Sequence, residues 1–350
     1  MKVLLTGNRG YIGVEMVPAL RAAGHEVVGL DIGLYDACDF ASPPDEVPEL
    51  EGDVRDIRPE QLRGFDAVIH LAALSNDPLG DLDAELTYDI NLRGSVRLAR
   101  AAREAGVARY LFASSCSLYG AGGSDLLDET APFNPVTPYG QSKIRVEQEV
   151  AALASERFSP VFLRNATAYG VSRRLRADVV VNNLVGHAFT TGKVLLQSDG
   201  TPWRPLVHLR DIHAAFLAAL VAPREAIHNQ AFNVGRTSEN FRIRQVAEMV
   251  AELVPGCRVA FAPGAPPDTR NYRVDFTKAE TRLPGFAPRW TLRKGIEELY
   301  EAYHRYGLTA EEFLGPRYYR LKAVRALQEG GLLDGQLRRR SLVAAGVGRA

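Results

Sequence analysis

Short apolar runs alternate with longer stretches of helical periodicity through the first half of this 350-residue chain. Val3-Leu4-Leu5 reads as a buried strand, and Ile12 to Ala23 as a helix stopped by Gly24. Strands are expected at His25 to Leu30 and Ala67 to Leu71, with one more between them ending at Gly52-Asp53-Val54-Arg55-Asp56. Ala84 to Ala105 is a helical pattern closed by Gly106, and Ala108 to Ala113 a strand. Tyr139 to Ser155 is a helix and Pro160 to Arg164 a strand. Strands apolar on both faces need cover on both faces. The alternation therefore predicts an α/β fold built on a doubly wound parallel sheet.

The pattern loosens in the second half. Short strands are expected around Lys193 to Leu196, Leu206 to Val207 and Ala231 to Val234. Helices are expected at Asp211 to Val221, Ile243 to Leu253 and Leu292 to Tyr306. This divides the chain into a sheet domain over 1–170, with later segments returning to it, and a smaller α/β lobe over 171–306. A helical extension follows over 307–350, packed on that lobe or on a subunit partner, and its end at Ala344 to Ala350 is expected to fray.

Charge and cysteine content narrow the function classes. Lys+Arg and Asp+Glu are both 42, so no overall field draws the chain to nucleic acid or an anionic membrane. Arg338-Arg339-Arg340 reads as a solvated tail. Cys38, Cys116 and Cys257 are too few and too scattered for a disulfide framework or a metal site. No stretch approaches the ~18 apolar residues of a membrane span, and the chain opens on a strand rather than a signal-peptide core. A cytoplasmic protein is expected, without a metal.

Thr6-Gly7-Asn8-Arg9-Gly10-Tyr11-Ile12-Gly13 joins the first strand to the first helix. Glycines at 7, 10 and 13 let the backbone turn tightly, approach a pyrophosphate and pack the helix on the sheet, the pattern of a Rossmann-type dinucleotide site. Asp31 ends the second strand, where a carboxylate accepts from both adenosine ribose hydroxyls and repels a 2′-phosphate. NAD is the expected cofactor. Asp53 and Val54 either hold adenine or form a turn before a helix. Leu71-Ala72-Ala73, after His70, either lets backbone approach the cofactor or serves close helix packing.

Tyr139-Gly140-Gln141-Ser142-Lys143 sets a phenol and an ammonium four residues apart on one helix face. The cation favours the phenolate, making Tyr139 a general base for a hydroxyl beside a nicotinamide. Tyr318 and Lys322 share the interval but lie in the terminal extension, and that copy is read as chance. Ala113-Ser114-Ser115-Cys116-Ser117-Leu118-Tyr119-Gly120 ends a strand, where a hydroxyl either donates to a developing alkoxide or shapes the loop.

Taken with their order along the chain, these segments resemble the extended short-chain dehydrogenase/reductase family of sugar-nucleotide epimerases and dehydratases. The resemblance spans roughly 1–305 and rests on TGNRGYIG, Asp31, GDVRD, HLAA, Asn91, SSCSLYG and YGQSK. It implies a Rossmann domain with a smaller substrate lobe, held NAD, a nucleotide-sugar substrate, and a homodimer through helices near 84–105 and 139–155. By position it makes Ser115 the catalytic hydroxyl, Tyr139 the base and Lys143 its partner. Asn91 supports the active-site backbone or fills a buried hydrogen-bonding role.

Departures from the family also matter. Cys116 and Ser117 stand where dehydratases carry an acidic pair, so dehydration is not expected. Cys116 is either an acid/base near the sugar or a small buried residue. Thr167 replaces a frequent Asn, and Ala265-Pro266-Pro267-Asp268 replaces a diphosphate-gripping Arg-Pro-Gly-Asp. Asn183 and Leu184 match a nucleotide-touching segment. Arg204, then Arg270, are the expected diphosphate ligands. Arg173, Arg174 and Arg176 read as a solvated loop, and His208 as a structural histidine. The expected activity is NAD-dependent epimerisation of a nucleotide sugar at C4. A dehydrogenase or 4-ketoreductase is the alternative, and a silent NAD-binding regulator the third reading.

Overall fold

The computed structural model describes residues 1–75, 83–123, 125–196, 198–261 and 270–340. Ala265 to Asp268 and the Ala344 to Ala350 tail lie outside them. In chain order the first half holds β1 (Lys2–Thr6), α1 (Gly13–Ala22), β2 (Glu26–Leu30), β3 (Ala67–His70), α2 (Ser95–Glu104), β4 (Arg109–Ser115), α3 (Pro138–Ala151) and β5 (Ser159–Asn165). The second half adds β6 (Thr167–Tyr169), α4 (Val180–Thr191), β7 (Trp203–His208), α5 (Leu209–Val221), β8 (Gln230–Val234), β9 (Asn240–Arg242), α6 (Ile243–Leu253), α7 (Leu292–Arg305) and α8 (Arg320–Glu329).

Six parallel strands form the central sheet in the order β8-β5-β4-β3-β1-β2. Alternate residues of each strand feed two cores, as the fully apolar runs require. Leu4, Val68, Tyr110 and Phe162 pack under α2 and α3, while Val3, Ile69, Leu111 and Leu163 pack under α5. Register places Thr6 beside Leu30 and His70, and Ser115 beside Asn165, at one edge of the sheet. The strand order reverses between β1 and β3, so a crevice opens at that carboxyl edge.

Two elements differ from expectation. The strand before Asp53 shrinks to a parallel bridge between Gly29 and Glu49, where Gly29 donates to Pro48 O and Leu50 donates to Gly29 O. Pro48 has no N–H to extend the ladder. The helix expected over Ala84 to Ala105 passes through a π-helical turn, Tyr88–Gly94, before α2 begins. There Ser95 Oγ donates to Asn91 O at 2.5 Å.

The smaller lobe has a three-stranded sheet, β9-β7-β6, covered by α4, α6 and α7. α5 and β8 return to the central sheet. The extension is not a loose appendage. Val324, Leu333 and Leu337 form a fourth apolar cluster with Leu34, Leu74, Leu86 and Ile90 of the sheet domain.

Candidate active site

A cleft of about 850 Å³ runs along the carboxyl edge of the sheet and between the lobes. It starts at the glycine turn. Gly7 has φ +74°, and a Cβ there would sit 2.8 Å from Ala72 N; one on Gly13 would sit 2.0 Å from Gly7 O. Turn, helix and the Leu71–Ala73 segment therefore close on one another only because these positions lack side chains. Gly7, Gly10, Tyr11, Ile12, Gly13, Asp31, Asp53, Val54 and Leu71 to Ala73 all line the cleft.

Asp31 accepts from Arg9 N at 3.1 Å and from Gly33 N at 2.8 Å, while burial pushes its pKa upward. The Arg9 guanidinium is held by Glu49 and Asp36. Asn8 likewise donates to Glu49, at 2.7 Å. Neither side chain lines the cleft, since Glu49 draws both toward the sheet edge. Asn91 does not line the cleft either. It is buried behind the cleft wall, where it accepts from Leu74 N and donates to Leu74 O, fixing the turn that follows β3.

α3 starts at Thr137, whose hydroxyl accepts from Gly140 N, with Pro138 in the first turn. Both favour a helix start there. Residues 139, 143 and 147 then share one face. Tyr139 and Lys143 reach the cleft, and Glu147 anchors the helix below it. Lys143 is 3% exposed; its Nζ donates to Ala113 O at 2.7 Å and lies 5.5 Å from the Tyr139 ring centre. Burial lowers its pKa to about 7, against the raising pull of Glu147. Glu147 accepts from Ser114 Oγ at 2.5 Å and pairs with Arg164 at 2.7 Å.

Ser115 and Ser117 also line the cleft, Ser115 Oγ accepting from Ser117 N at 3.1 Å. Ser117 Oγ and Asn165 Oδ1 are buried without a partner among the described residues. Two hydrogen-bonding atoms thus wait at the strand ends for something other than protein. Cys116 points the other way: it is fully buried, its Sγ donates to Arg164 O at 3.1 Å, and burial pushes the thiol pKa well up. Its expected contact with substrate is corrected, and the bland alternative of a small buried residue stands.

Across the cleft lie Thr167, Asn183, Leu184, Arg204 and Arg270. Asn183 donates to Ala177 O and Tyr319 Oη, and Arg204 donates to Trp203 O and Arg270 O. The arginine loop is not solvated. Arg174 pairs with Asp39, Arg176 with Asp178 at 2.9 Å, and Arg173 with Glu15 at 3.0 Å. Nor is Arg338-Arg339 a free tail, since Arg338 pairs with Asp56 and Arg339 donates to Ile32 O at 2.9 Å. His208 donates from Nε2 to Glu298 at 2.7 Å and stacks on Trp290, a structural role. Tyr318 donates to Asp39 O and Lys322 to Leu314 O, so the second Tyr-x-x-x-Lys pair does not act together. Arg176, expected in a solvated loop, lies on the cleft wall, as do Tyr35, Tyr272, Tyr319 and Arg320, which the sequence did not mark as site residues. Only the closeness of Tyr35 to Asp31 hinted at any of them.

Residues 3–235 match the model of the NAD dependent epimerase/dehydratase family. UDP-glucose 4-epimerase of Mycolicibacterium smegmatis is 30% identical over 319 residues, 86% of this chain and 98% of that protein. MoeE5, solved in complex with UDP-glucuronic acid and NAD, is similar at TM-score 0.76 and 30% identity, over 87% of this chain and 99% of that one. The UDP-glucose 4-epimerase of Thermus thermophilus, solved in complex with NAD, matches at TM-score 0.72 and 27% identity, over 87% and 99%.

Proposed function

The chain belongs to the NAD dependent epimerase/dehydratase family, and from that premise we propose that it inverts C4 of a nucleotide-bound hexose. The observation that carries the reading is one cleft lined by Tyr139, Lys143 and Ser115 together with the glycine turn and Asp31. The glycine turn and Asp31 suit NAD, as do Leu71 to Ala73. NAD, when bound, would accept the C4 hydrogen with its electron pair and return it to the opposite face of the sugar.

Tyr139 takes the proton of the C4 hydroxyl as its carbon–oxygen bond becomes a carbonyl. Lys143 favours the phenolate that does so, and Ser115 donates to the oxygen as charge develops there. The 4-keto sugar turns over in the cleft and Tyr139 hands the proton back. Net redox is zero, so no second nicotinamide is consumed. Arg204 and Arg270 hold the diphosphate, while Asn183 and Leu184 meet the nucleotide. The sequence relatives named UDP-glucose 4-epimerase support UDP-hexoses as the first substrates to try.

Dehydration is disfavoured because positions 116 and 117 offer a buried thiol and a hydroxyl rather than acids. The test is incubation with UDP-, dTDP- and GDP-hexoses without added nicotinamide. Interconversion of a C4 pair, abolished in Tyr139→Phe, is expected. Turnover only with stoichiometric added NAD would mean a net dehydrogenase instead.

A further inference from the structure

Arg320 opens α8, far beyond the residues matched by the family model, and is 1% exposed. One guanidinium nitrogen donates to Arg174 O at 3.0 Å. The group lies 4.0 Å from the Tyr35 ring centre, beside the Cys38 thiol. Its Nη1 is buried and has no hydrogen-bond partner among the described residues, although Arg320 lines the cleft. Among the described residues no carboxylate pairs with it, because nearby Asp178 is engaged by Arg176. A buried, unpaired guanidinium is unfavourable unless an anion joins it.

A second feature points the same way. Arg320, Leu321 and Lys322, the first turn of this ten-residue helix, all line the cleft, and the N-cap Tyr319 makes no side-chain capping bond. A helix start of this kind favours anions. We infer that Arg320 Nη1 and the first turn of α8 grip the diphosphate of NAD, so that the extension acts as a strap retaining the cofactor.

Placement favours the cofactor's diphosphate over the substrate's. Tyr35, under the guanidinium, follows Asp31 by four residues. Arg174, whose carbonyl Arg320 holds, donates from Nε to Arg9 O in the glycine turn at 3.3 Å. Arg204 and Arg270, the candidates for the substrate's diphosphate, are joined to each other instead. The strap is fastened beyond the site: Arg55 donates to Gln336 O at 2.9 Å, and Arg339 holds Ile32 O. Tyr319 ties it to the other lobe through Asn183.

The inference uses the family's NAD dependence and not the C4 reading, and its test involves no turnover, so either can fail alone. Full-length wild-type, Arg320→Met and Arg320→Lys proteins, stripped of nucleotide, are titrated calorimetrically with ADP-ribose, adenosine and UDP. Arg320→Met is expected to weaken ADP-ribose about 10- to 100-fold, with adenosine and UDP within twofold. Arg320→Lys keeps the charge without the fork and should lose less, again for ADP-ribose alone. Should the Met variant not fold, the Lys variant decides by the same comparison. Unchanged ADP-ribose binding, an equal loss for adenosine, or a loss confined to UDP would overturn the assignment.

Discussion

The Lys143 ammonium lies 5.5 Å from the Tyr139 ring centre while donating to Ala113 O at 2.7 Å. One backbone bond thus holds the cation at a fixed place beside the phenol. Burial brings the pKa of this lysine down to about 7, so the ammonium is lost as pH rises through neutrality, and with it the charge that favours the phenolate. kcat/KM should therefore decline as pH rises through about 7. Lys143→Met should lower activity at about pH 6 by about 10²- to 10⁴-fold and remove that decline. An unshifted pH profile in that variant would count against the pairing.

Glu147 and Arg164 form a buried pair that locks α3 to the strand ends. Glu147→Gln leaves the Arg164 charge buried and uncompensated, at a cost of about 3–5 kcal/mol in urea unfolding. Replacing both, as Glu147→Gln with Arg164→Leu, should cost less than the two single changes added together. Additive losses would show that the pair is not a unit.

His70 links the glycine turn to the segment after β3. Ser95 gives its proton to Asn91 O, so His70 donates from Nε2 to Ser95 Oγ at 2.8 Å and accepts at Nδ1 from Thr6 at 2.6 Å. Burial, aided by Lys143, lowers the His70 pKa to about 3. Below pH 6.5 the unfolded chain takes up a proton that the folded chain refuses. Stability is thus complete above pH 6.5 and declines as pH falls toward 3. Between pH 6.5 and 5 this amounts to about 2 kcal/mol, and urea midpoints in His70→Gln should lack that part of the decline.

Much of the fold and of the site is legible in the amino-acid order alone. Val3 to Leu5 and Ile243 to Leu253 are recovered within a residue or two, because burial on one or both faces leaves a local periodicity. The glycine turn, Asp31, Ser115, Tyr139 and Lys143 are legible as chemistry, since each sits at a strand end or on one helix face. What escapes depends on partners distant in sequence. Arg174 is buried by Asp39, Arg338 by Asp56, and Arg320 under Tyr35, contacts spanning 135 residues or more. An arginine run looks solvated until such partners are known. Cys116 is open either way by its residue type, and only the direction of its Sγ decides it.

The direct test uses UDP-glucose, or whichever hexose proves active, carrying deuterium at C4. If Tyr139 moves only the hydroxyl proton and the carbon-bound hydrogen is taken and returned within one cleft, the C4-inverted product keeps its deuterium. The rate should also show a primary isotope effect. Deuterium lost to solvent, or an inverted product formed without the C4–H bond being broken, would contradict the mechanism.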